Sequence, residues 1–527
     1  MAFEEDRARF MFHRADSGSL LGGSGSTVEP VVPIHLQNEV EPLLMGSSYF
    51  AKLKATINAL GTSGNPVIYL AGWWFTPIFS LDRELNGPEL SELLKEKSRA
   101  GVDVRVMGWV LAPEMMSNSV AQAEAPGAYT TSYGTMRFVK ELRTEPTLAD
   151  KAVLNTLSHP AGGVHCKIAI VGNDTQMNVF TGGLDLVNDR HKPIWRDVQV
   201  RLAGPATQGA YDFYRAMWNE IKGRAIEPLS FSVTLEGSPR SIALDNRTVG
   251  MTSLAARTVG VATTSRVHAQ SLRTVPQFNF LPLMPIPSNR PCAFAPNGAF
   301  EVDAGWRAAI RGAGSYYYVE DQMLSSESLC EALNQRLRAD DDFRVIMVTG
   351  RFDPNDAQDN VYSWIRARAL NFNLLRALTP AQKARVAIFN HSTKVVHSKV
   401  AIADDLWGFV GSPNFSARSQ YTDFEHGYGF MDEAGTAVPA FRQLLWDDIF
   451  GAAEPNLAAA VQRWFDIPEG GTHGVLQRIR PPIPSPVINE VEQSAADTLF
   501  EVDSRQTWGA DLFTLLMAGM ASGRIGS

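Results

Sequence analysis

The sequence predicts an α/β protein built from two related α/β/α lobes, each with a mixed β-sheet. Two observations predict this fold. Strand-length apolar runs alternate with stretches of helical periodicity, which is typical of βαβ units. The same order of elements occurs again in the second half of the chain, which indicates a duplication. We therefore expect two copies related by a pseudo-twofold axis and packed face to face.

Each half begins with a helical stretch that leads into an apolar strand. Residues 49–59 lead into the run 67–75 in the first half, and residues 304–313 lead into 316–322 in the second. A further helical stretch and a further strand follow in each half, at 87–100, 102–107, 326–338 and 343–348. Alternation of helix and strand at this spacing predicts a mixed or parallel sheet in each lobe.

Composition along the chain divides it into five segments. The two lobes are predicted at 45–234 and 301–466. They are joined by a connector at 235–300 that is rich in Ser, Thr, Arg, Pro and Asn. Residues 1–44 are expected to form an N-terminal extension, flexible where it is rich in Gly and Ser, and 467–527 a C-terminal tail.

The charge balance bears on the class of partner. The 527 residues include 48 Lys and Arg against 56 Asp and Glu, a formal net charge of −8, and 45% of them are hydrophobic. This composition is that of an ordinary globular protein and excludes a disordered or collagen-like chain. The negative net charge argues against a protein that coats nucleic acid through bulk electrostatics. A small basic pocket for one phosphate remains compatible with it.

The cysteines and the apolar runs bear on compartment. Cys166, Cys292 and Cys330 are odd in number and none lies at zinc-ligand spacing, so they predict neither a disulfide framework nor a structural metal site. The N-terminus lacks the apolar segment of a signal peptide, and no stretch reaches the about 18 apolar residues of a membrane span. We expect a soluble, cytoplasmic protein; export by a route without a signal peptide would leave no trace here.

A His-x-Lys pattern occurs once in each half, inside a strand and ahead of a Gly-rich turn. The first copy is His165-Cys166-Lys167 and the second is His397-Ser398-Lys399. Side chains at i and i+2 of a strand face the same side, so each histidine and its lysine point together while the residue between them points away. One such pattern is common by chance, but two copies in register indicate a function.

These residue types suit phosphoryl transfer. A neutral imidazole is a nucleophile near neutral pH, and a second, protonated imidazole is a general acid. Lysines beside both rings can neutralise the non-bridging oxygens of a phosphodiester, and an amide side chain can donate hydrogen bonds to them. Two His-Lys pairs that meet between the lobes would therefore form a phosphoryl-transfer site that needs no metal and no cofactor.

Each histidine also needs a carboxylate that fixes its tautomer and orientation. Asp197 lies 32 residues after His165, and Glu425 lies 28 residues after His397. The hairpin that follows the first His-Lys pair is three residues longer than the second, so the two acids occupy nearly equivalent places in the two copies. We predict that Asp197 and Glu425 orient the histidines.

These motifs resemble those of the phospholipase D superfamily, whose signature is His-x-Lys-x4-Asp followed by Gly-Ser-x-Asn. The second copy matches in full, with His397, Lys399, Asp404, Gly411, Ser412 and Asn414. In the first copy Gly172 stands at the Asp position with Asp174 two residues later, and the turn ends in Asp185. The resemblance spans roughly residues 45–225 and 300–450.

The resemblance implies a two-step reaction through a covalent phosphohistidine at the lobe interface. It implies that His165 is the nucleophile and His397 the acid, roles that the residues alone do not distinguish. The implied catalytic group is His165, Lys167, His397, Lys399, Asp404, Asp197 and Glu425. The implied substrate-binding group is Asn414, Asp185 and Ser412, together with Glu320 and Gln322 at the end of a predicted strand.

The predicted function is hydrolysis of phospholipid head groups, with head-group exchange onto an alcohol as a second outcome. The alternative is a nuclease or another phosphodiesterase of the same superfamily, since such a site reads only a phosphodiester. The lack of Lys and Arg runs favours a lipid or small substrate over a long polyanion. We expect a monomer that contacts a membrane or micelle surface peripherally. A non-catalytic binding protein is disfavoured because both His-Lys pairs are intact.

Overall fold

The computed structural model describes residues 2–12, 32–82, 87–111, 126–157, 162–224, 229–235, 238–245, 250–276, 291–350, 357–452 and 454–484. It confirms the predicted fold class, because helices pack on mixed sheets in two lobes that repeat the same strand order. The Gly- and Ser-rich part of the N-terminal extension and most of the predicted C-terminal tail lie outside the described residues.

Among the described residues, the sheet of the first lobe has seven strands. They are β1 (His35–Leu44), β2 (Val67–Gly72), β3 (Asp103–Trp109), β4 (Ala152–Asn155), β5 (Ile168–Gly172), β6 (Met177–Gly182) and, after the short β7 (Trp195–Arg196), β8 (Val198–Ala203). Their order is β4-β3-β2-β5-β6-β8-β1, in which β2, β3 and β4 are parallel and the other neighbours antiparallel.

Helices cover this sheet, and a hairpin follows it. After α1 (Ala2–Phe10), the helices are α2 (Met45–Ala59), α3 (Leu90–Arg99), α4 (Pro126–Leu142) and α5 (Thr207–Gly223), with 3-10 turns at Pro146–Leu148 and Asn188–His191. The antiparallel strands β9 (Leu229–Leu235) and β10 (Ser238–Leu244) form the hairpin. Strand β2 is buried along its whole length, as expected of a parallel strand with both faces covered.

The second lobe repeats this order strand for strand. Its sheet runs β15 (Val386–His391), β14 (Arg344–Gly350), β13 (Tyr316–Asp321), β17 (Lys399–Ala403), β18 (Trp407–Gly411), β19 (Glu425–Asp432), β11 (Val267–Val275). Strands β13, β14 and β15 are parallel, as are their counterparts in the first lobe. The short strands are β12 (Ala299–Phe300), β16 (Val395–Val396), β20 (Thr472–His473) and β21 (Leu476–Arg478).

The helices of the second lobe surround its sheet in a corresponding way. They are α6 (Glu301–Gly312), α7 (Glu327–Ala339), α8 (Ala357–Arg368), α9 (Pro380–Lys383), α10 (Ala417–Tyr421), α11 (Ala437–Phe450) and α12 (Leu457–Asp466). A π-helical stretch, Ala369–Leu374, continues from α8. Serine or threonine hydroxyls cap α7, α9 and α10 by accepting the first free backbone N–H groups.

The two lobes meet along corresponding elements. Strands β1 and β11 hold the same place in their sheets and pair with each other in antiparallel register, as a twofold relation requires. One hydrophobic cluster combines residues of both lobes, including Tyr69 and Tyr211 of the first and Tyr318 and Phe389 of the second. A separate cluster lies on the far side of each lobe. The predicted face-to-face packing is therefore present.

Strand β11 lies within the segment that the sequence predicts as a connector. Its residues have no clear alternation because several buried positions are polar, and the side chains of three of these, His268, Gln270 and Ser271, have partners. His268 contacts Glu433 at 2.8 Å, Gln270 donates to the Phe12 carbonyl at 3.0 Å, and Ser271 bonds the His426 ring at 2.9 Å. Buried polar groups are tolerated when they are hydrogen-bonded, so the composition concealed a strand of the second lobe.

Candidate active site

The two His-Lys pairs lie at the start of equivalent central strands, β5 and β17. Each lysine ammonium donates to the carbonyl of its own histidine, Lys167 to His165 at 2.8 Å and Lys399 to His397. Burial lowers the pKa of each imidazole, and the charges of both lysines lower it further. The four side chains, which come from both lobes, therefore share one buried site.

The acids are exchanged between the lobes. Glu425 of the second lobe accepts from His165 Nδ1 of the first at 2.9 Å, and Asp197 of the first accepts from His397 Nδ1 of the second at 2.5 Å. Each acid follows one histidine in sequence but contacts the other. Neither His-acid pair can form within a single lobe.

Short parallel backbone contacts position these crossed pairs. Strand β7 pairs with β16, so that Trp195 and Arg196 lie beside Val395 and Val396, and the residue after β7 is Asp197. In the other direction Val164 and Phe424 form a parallel bridge, with Cys166 N–H donating to the Phe424 carbonyl at 2.8 Å. Because each bridge ends one residue before an acid, the backbone brings each carboxylate to the opposite histidine.

The two carboxylates have different surroundings. Glu425 accepts hydroxyl hydrogens from Ser412 and from Ser419, the latter at 2.7 Å, as well as the hydrogen bond from His165. Asp197 accepts the Val198 N–H at 2.7 Å in addition to His397. In the first lobe the residue that corresponds to Ser412 is Gly183, where a Cβ atom would lie 2.3 Å from Asp197 Oδ1. The predicted substrate ligand Ser412 thus lies behind Glu425.

Burial sets the protonation of the site. It raises the pKa of Asp197 and of Glu425 to about 7. It also lowers the pKa of both imidazoles well below its usual value, and the neighbouring ammonium groups lower it further. The resulting neutral imidazole is the form that a nucleophile needs. A bound anionic phosphate would add negative charge beside both rings and favour protonation of one of them.

Asp185 lies beside Lys167, and Asn414 and Gln322 contact each other. Lys167 Nζ lies 3.6 Å from Asp185 Oδ1, which also accepts the Trp74 N–H at 3.2 Å. Gln322 Nε2 donates to Asn414 Oδ1 at 3.2 Å. The first lobe thus presents a carboxylate where the second presents an amide, and both groups lie at the ends of the Gly-rich turns that the sequence predicts.

Two tryptophans contact the rings of the paired histidines. Trp73 stacks on Trp109 with ring centroids 3.8 Å apart and meets the His165 ring edge-on at 5.4 Å. Trp195 meets the His397 ring edge-on at 5.5 Å. Their positions in the sequence are consistent with this, because Trp73 directly follows β2 and Trp195 lies two residues before Asp197.

Glu320 does not line the space between the histidines, contrary to the prediction. Its carboxylate accepts from Arg196 Nε at 2.6 Å, from Ser398 Oγ at 2.6 Å and from Tyr318 OH at 2.8 Å. Ser398 points to the side of the strand opposite His397 and Lys399, so Glu320 lies on that opposite side too. Strand β13 ends at Asp321, whose side chain points to the opposite face of the strand from Glu320.

The structure also argues against the predicted place of Asp404 in the catalytic group, because Asp404 lies just beyond the far end of β17. Asp404 lies five positions beyond Lys399, a span of roughly 17 Å at about 3.4 Å per residue. Its carboxylate accepts the backbone N–H groups of Gly314, Ser315 and Tyr316 at 2.6–2.8 Å. The motif Asp therefore supports the start of β13, at the far end of the strand from the His-Lys pair.

In the first lobe the corresponding loop, which precedes β2, is supported by different residues. The position of Ser315 is taken there by Pro66, which has no N–H to donate. Asp174, in the longer hairpin, accepts from the Asn65 side chain at 2.7 Å and pairs with Arg257. Asp174 thus supports the loop before β2 in place of the Asp that the motif lacks at Gly172.

Replacing Asp404 with alanine is expected to lower the free energy of unfolding by about 2–4 kcal/mol, because three N–H groups lose a charged acceptor. Asp404 also adopts a left-handed conformation, φ 56°, which Asp and Asn tolerate better than Ala. Asp404→Asn, which keeps one acceptor oxygen, should lose less stability. Chemical denaturation measures both. A hundredfold fall in kcat of the folded Asp404→Ala protein at unchanged stability would return Asp404 to the catalytic group.

No protein-family model and no curated protein sequence matches the chain. Among solved structures, phosphatidylserine synthase from Haemophilus influenzae Rd KW20 has a TM-score of 0.52 at 10% identity, over 98% of this chain and 99% of that chain. Polyphosphate kinase from Porphyromonas gingivalis has a TM-score of 0.43 at 10% identity, over 77% of this chain and 49% of that chain. The first likeness extends to the whole two-lobed fold; the second is too slight to carry an argument.

Two features of the described residues bear on metals and membranes. Within them, no three His, Cys, Asp or Glu side chains converge as ligands of a metal ion would. Of the helices in this part of the chain, none has the length and hydropathy needed to cross a bilayer.

Proposed function

We propose that this chain is a phosphodiesterase of the phospholipase D type, which transfers the phosphatidyl group of a phospholipid to water or to an alcohol. The observation that carries the proposal is the convergence of two His-Lys pairs in one buried site, each histidine held by a carboxylate of the other lobe. The motif resemblance to the phospholipase D superfamily supports it. So does the shared fold with a phosphatidylserine synthase, which by its name makes a phospholipid.

The reaction follows from the contacts of the two rings. With each Nδ1 proton held by a carboxylate, Nε2 of one neutral ring attacks phosphorus while the P–O bond to the leaving alcohol breaks. The second ring, protonated, gives its Nε2 proton to the leaving oxygen. That ring then takes a proton from water or an alcohol, whose oxygen attacks phosphorus and breaks the P–N bond. Lys167 and Lys399 offset the charge of the non-bridging oxygens throughout.

The unequal surroundings of the acids support a division of roles. Glu425 shares its charge among three donors, so it stabilises a protonated His165 less. Asp197 has one backbone donor besides His397 and holds that ring at 2.5 Å. We therefore assign the nucleophile to His165, which stays neutral, and the general acid to His397, which holds the proton.

The test is an assay on phosphatidylcholine in mixed micelles with EDTA and 1-butanol. We expect release of choline together with formation of phosphatidylbutanol, because the phosphohistidine partitions between water and the alcohol. EDTA is included since the reaction assigned to these side chains needs no metal. Absence of both products, with cleavage of single-stranded DNA by the same preparation, would contradict the lipid proposal and favour the nuclease alternative.

Activity is expected to fall as the pH rises above about 8. Burial lowers the pKa of Lys399 to about 8, so the ammonium that binds phosphate loses its charge at a lower pH than an exposed lysine would. The pH profile of kcat/KM reports this group in the free enzyme. An arginine stays charged throughout, so the residual activity of Lys399→Arg should not fall in that range. An identical alkaline limb in Lys399→Arg would exclude Lys399 as its source.

A further inference from the structure

A buried ion pair crosses the lobe interface directly behind His397. Arg196 of the first lobe donates to both carboxylate oxygens of Glu320 of the second, at 2.6 and 3.3 Å, and both side chains are fully buried. Arg196 also donates to the Leu445 carbonyl at 2.9 Å and contacts Asp448. The guanidinium is thus fixed by several acceptors, all in the second lobe.

This ion pair is connected to the general acid on both sides. The Arg196 carbonyl accepts the N–H groups of His397 and Ser398, at 2.7 and 3.1 Å, and the next residue is Asp197. Glu320 in turn accepts from Ser398 Oγ, in the residue between His397 and Lys399. The buried carboxylate of Glu320 therefore binds both the segment that carries Asp197 and the segment that carries His397.

The first lobe has no such ion pair. The residues that correspond to Glu320, Ser398 and Arg196 are Ala71, Cys166 and Phe424, all apolar in character. There the segment that carries Glu425 is held through Asp423, the residue before Phe424. The Asp423 carboxylate accepts the Gly163 N–H at 2.7 Å. The position of Asp423 is taken in the other segment by Trp195, which has no carboxylate. The segment that carries Asp197 depends instead on Arg196.

We propose that Arg196 and Glu320 are positioning residues for the general acid, holding Asp197 in register with His397. The proposal rests on the proposed function, because it assigns a step of that reaction. It predicts a selective defect, in protonation of the leaving group. A misplacement of about 1 Å costs on the order of a hundredfold when the group must transfer a proton. A leaving group that departs without a proton should be insensitive to it.

The experiment measures release of the first leaving group in a single turnover of Glu320→Gln. The substrates are phosphatidylcholine, whose choline oxygen needs a proton, and bis(p-nitrophenyl) phosphate, whose phenolate does not. We expect choline release to fall at least about tenfold and p-nitrophenol release to stay within about twofold of wild type. The variant should then accumulate phosphoenzyme on the aryl substrate, because His397 also activates water in the second step.

Two further variants separate positioning from stability. Glu301→Gln breaks a partly buried ion pair with Arg273 that contacts neither histidine, and it should show no difference between the two substrates. The triple variant Arg196→Phe, Glu320→Ala, Ser398→Cys reproduces the apolar residues of the first lobe. Well-packed apolar groups often replace a buried ion pair without loss of stability, so it should fold even where Glu320→Gln does not. The triple variant still lacks the hydrogen bonds between residues 196 and 320. Its choline release should therefore fall while its p-nitrophenol release stays near that of wild type.

Equal falls on both substrates in Glu320→Gln, or wild-type choline release in the folded triple variant, would overturn the positioning role. A wild-type protein that releases neither leaving group would instead refute the proposed function, and this inference with it. The two failures are therefore distinguishable from the wild-type measurement alone.

Discussion

His165→Ala and His397→Ala are each expected to lower kcat on phosphatidylcholine by at least about a thousandfold. The first variant has no nucleophile and the second has no general acid, and residues that act as a unit lose most of the rate when either is removed. Choline release, measured against protein confirmed as folded by its melting temperature, tests both.

His268→Ala is the matched control, because His268 is also a buried histidine but contacts Glu433 away from the site. It should keep turnover within a few-fold of wild type. Full activity of either His165→Ala or His397→Ala would refute the mechanism with two histidines.

Asp197→Asn is expected to lower the rate of the first turnover by about 10²–10⁴-fold with little change in KM. An amide donates where the carboxylate accepts, so it favours the wrong tautomer of His397 and no longer stabilises its protonated form. The pair buried at the interface retains its shape, since Asn and Asp have the same size. Single-turnover choline release measures the effect.

Glu425→Gln is the reciprocal variant and should slow nucleophilic attack by His165. Its loss is expected on both phosphatidylcholine and bis(p-nitrophenyl) phosphate, whereas Asp197→Asn should be milder on the aryl ester. If Asp197→Asn reduced p-nitrophenol release as much as choline release, His397 would not be the acid of the first step.

The sequence was sufficient to predict the fold and the motif residues, because both rest on short-range patterns. Alternating helical and strand periodicity, repeated in two halves, predicts the two lobes. The two-residue period of a strand places each histidine beside its lysine, and the Gly-rich turns place Asp185 and Asn414 at the ends of the neighbouring strands. These inferences need no knowledge of how the lobes pack.

The crossed contacts of the acids could not be predicted in this way. Sequence spacing places Asp197 and Glu425 at equivalent positions but does not say which histidine each one reaches. That depends on the β7–β16 pairing and on the bridge between Val164 and Phe424, both formed between lobes. The role of Glu320 was missed for the same reason, because its partner Arg196 belongs to the other lobe.

Asp404 shows a different limit. A residue within a recognised motif is easily assigned to the chemistry, yet a strand of five residues carries it away from the site. Its carboxylate accepts three backbone N–H groups, which is the work of a structural residue. Distance along a strand, about 3.4 Å per residue, was enough to indicate this from the sequence.

The central claim is that the paired histidines act through a covalent phosphohistidine formed on His165. Its most direct test is to quench the enzyme during turnover of phosphatidylcholine and to locate the acid-labile adduct by mass spectrometry. The mechanism predicts a phosphatidyl group on His165 with phosphatidylcholine, and a p-nitrophenylphosphoryl group on His165 that accumulates in His397→Ala with bis(p-nitrophenyl) phosphate. An adduct confined to His397, or turnover without any adduct, would contradict it.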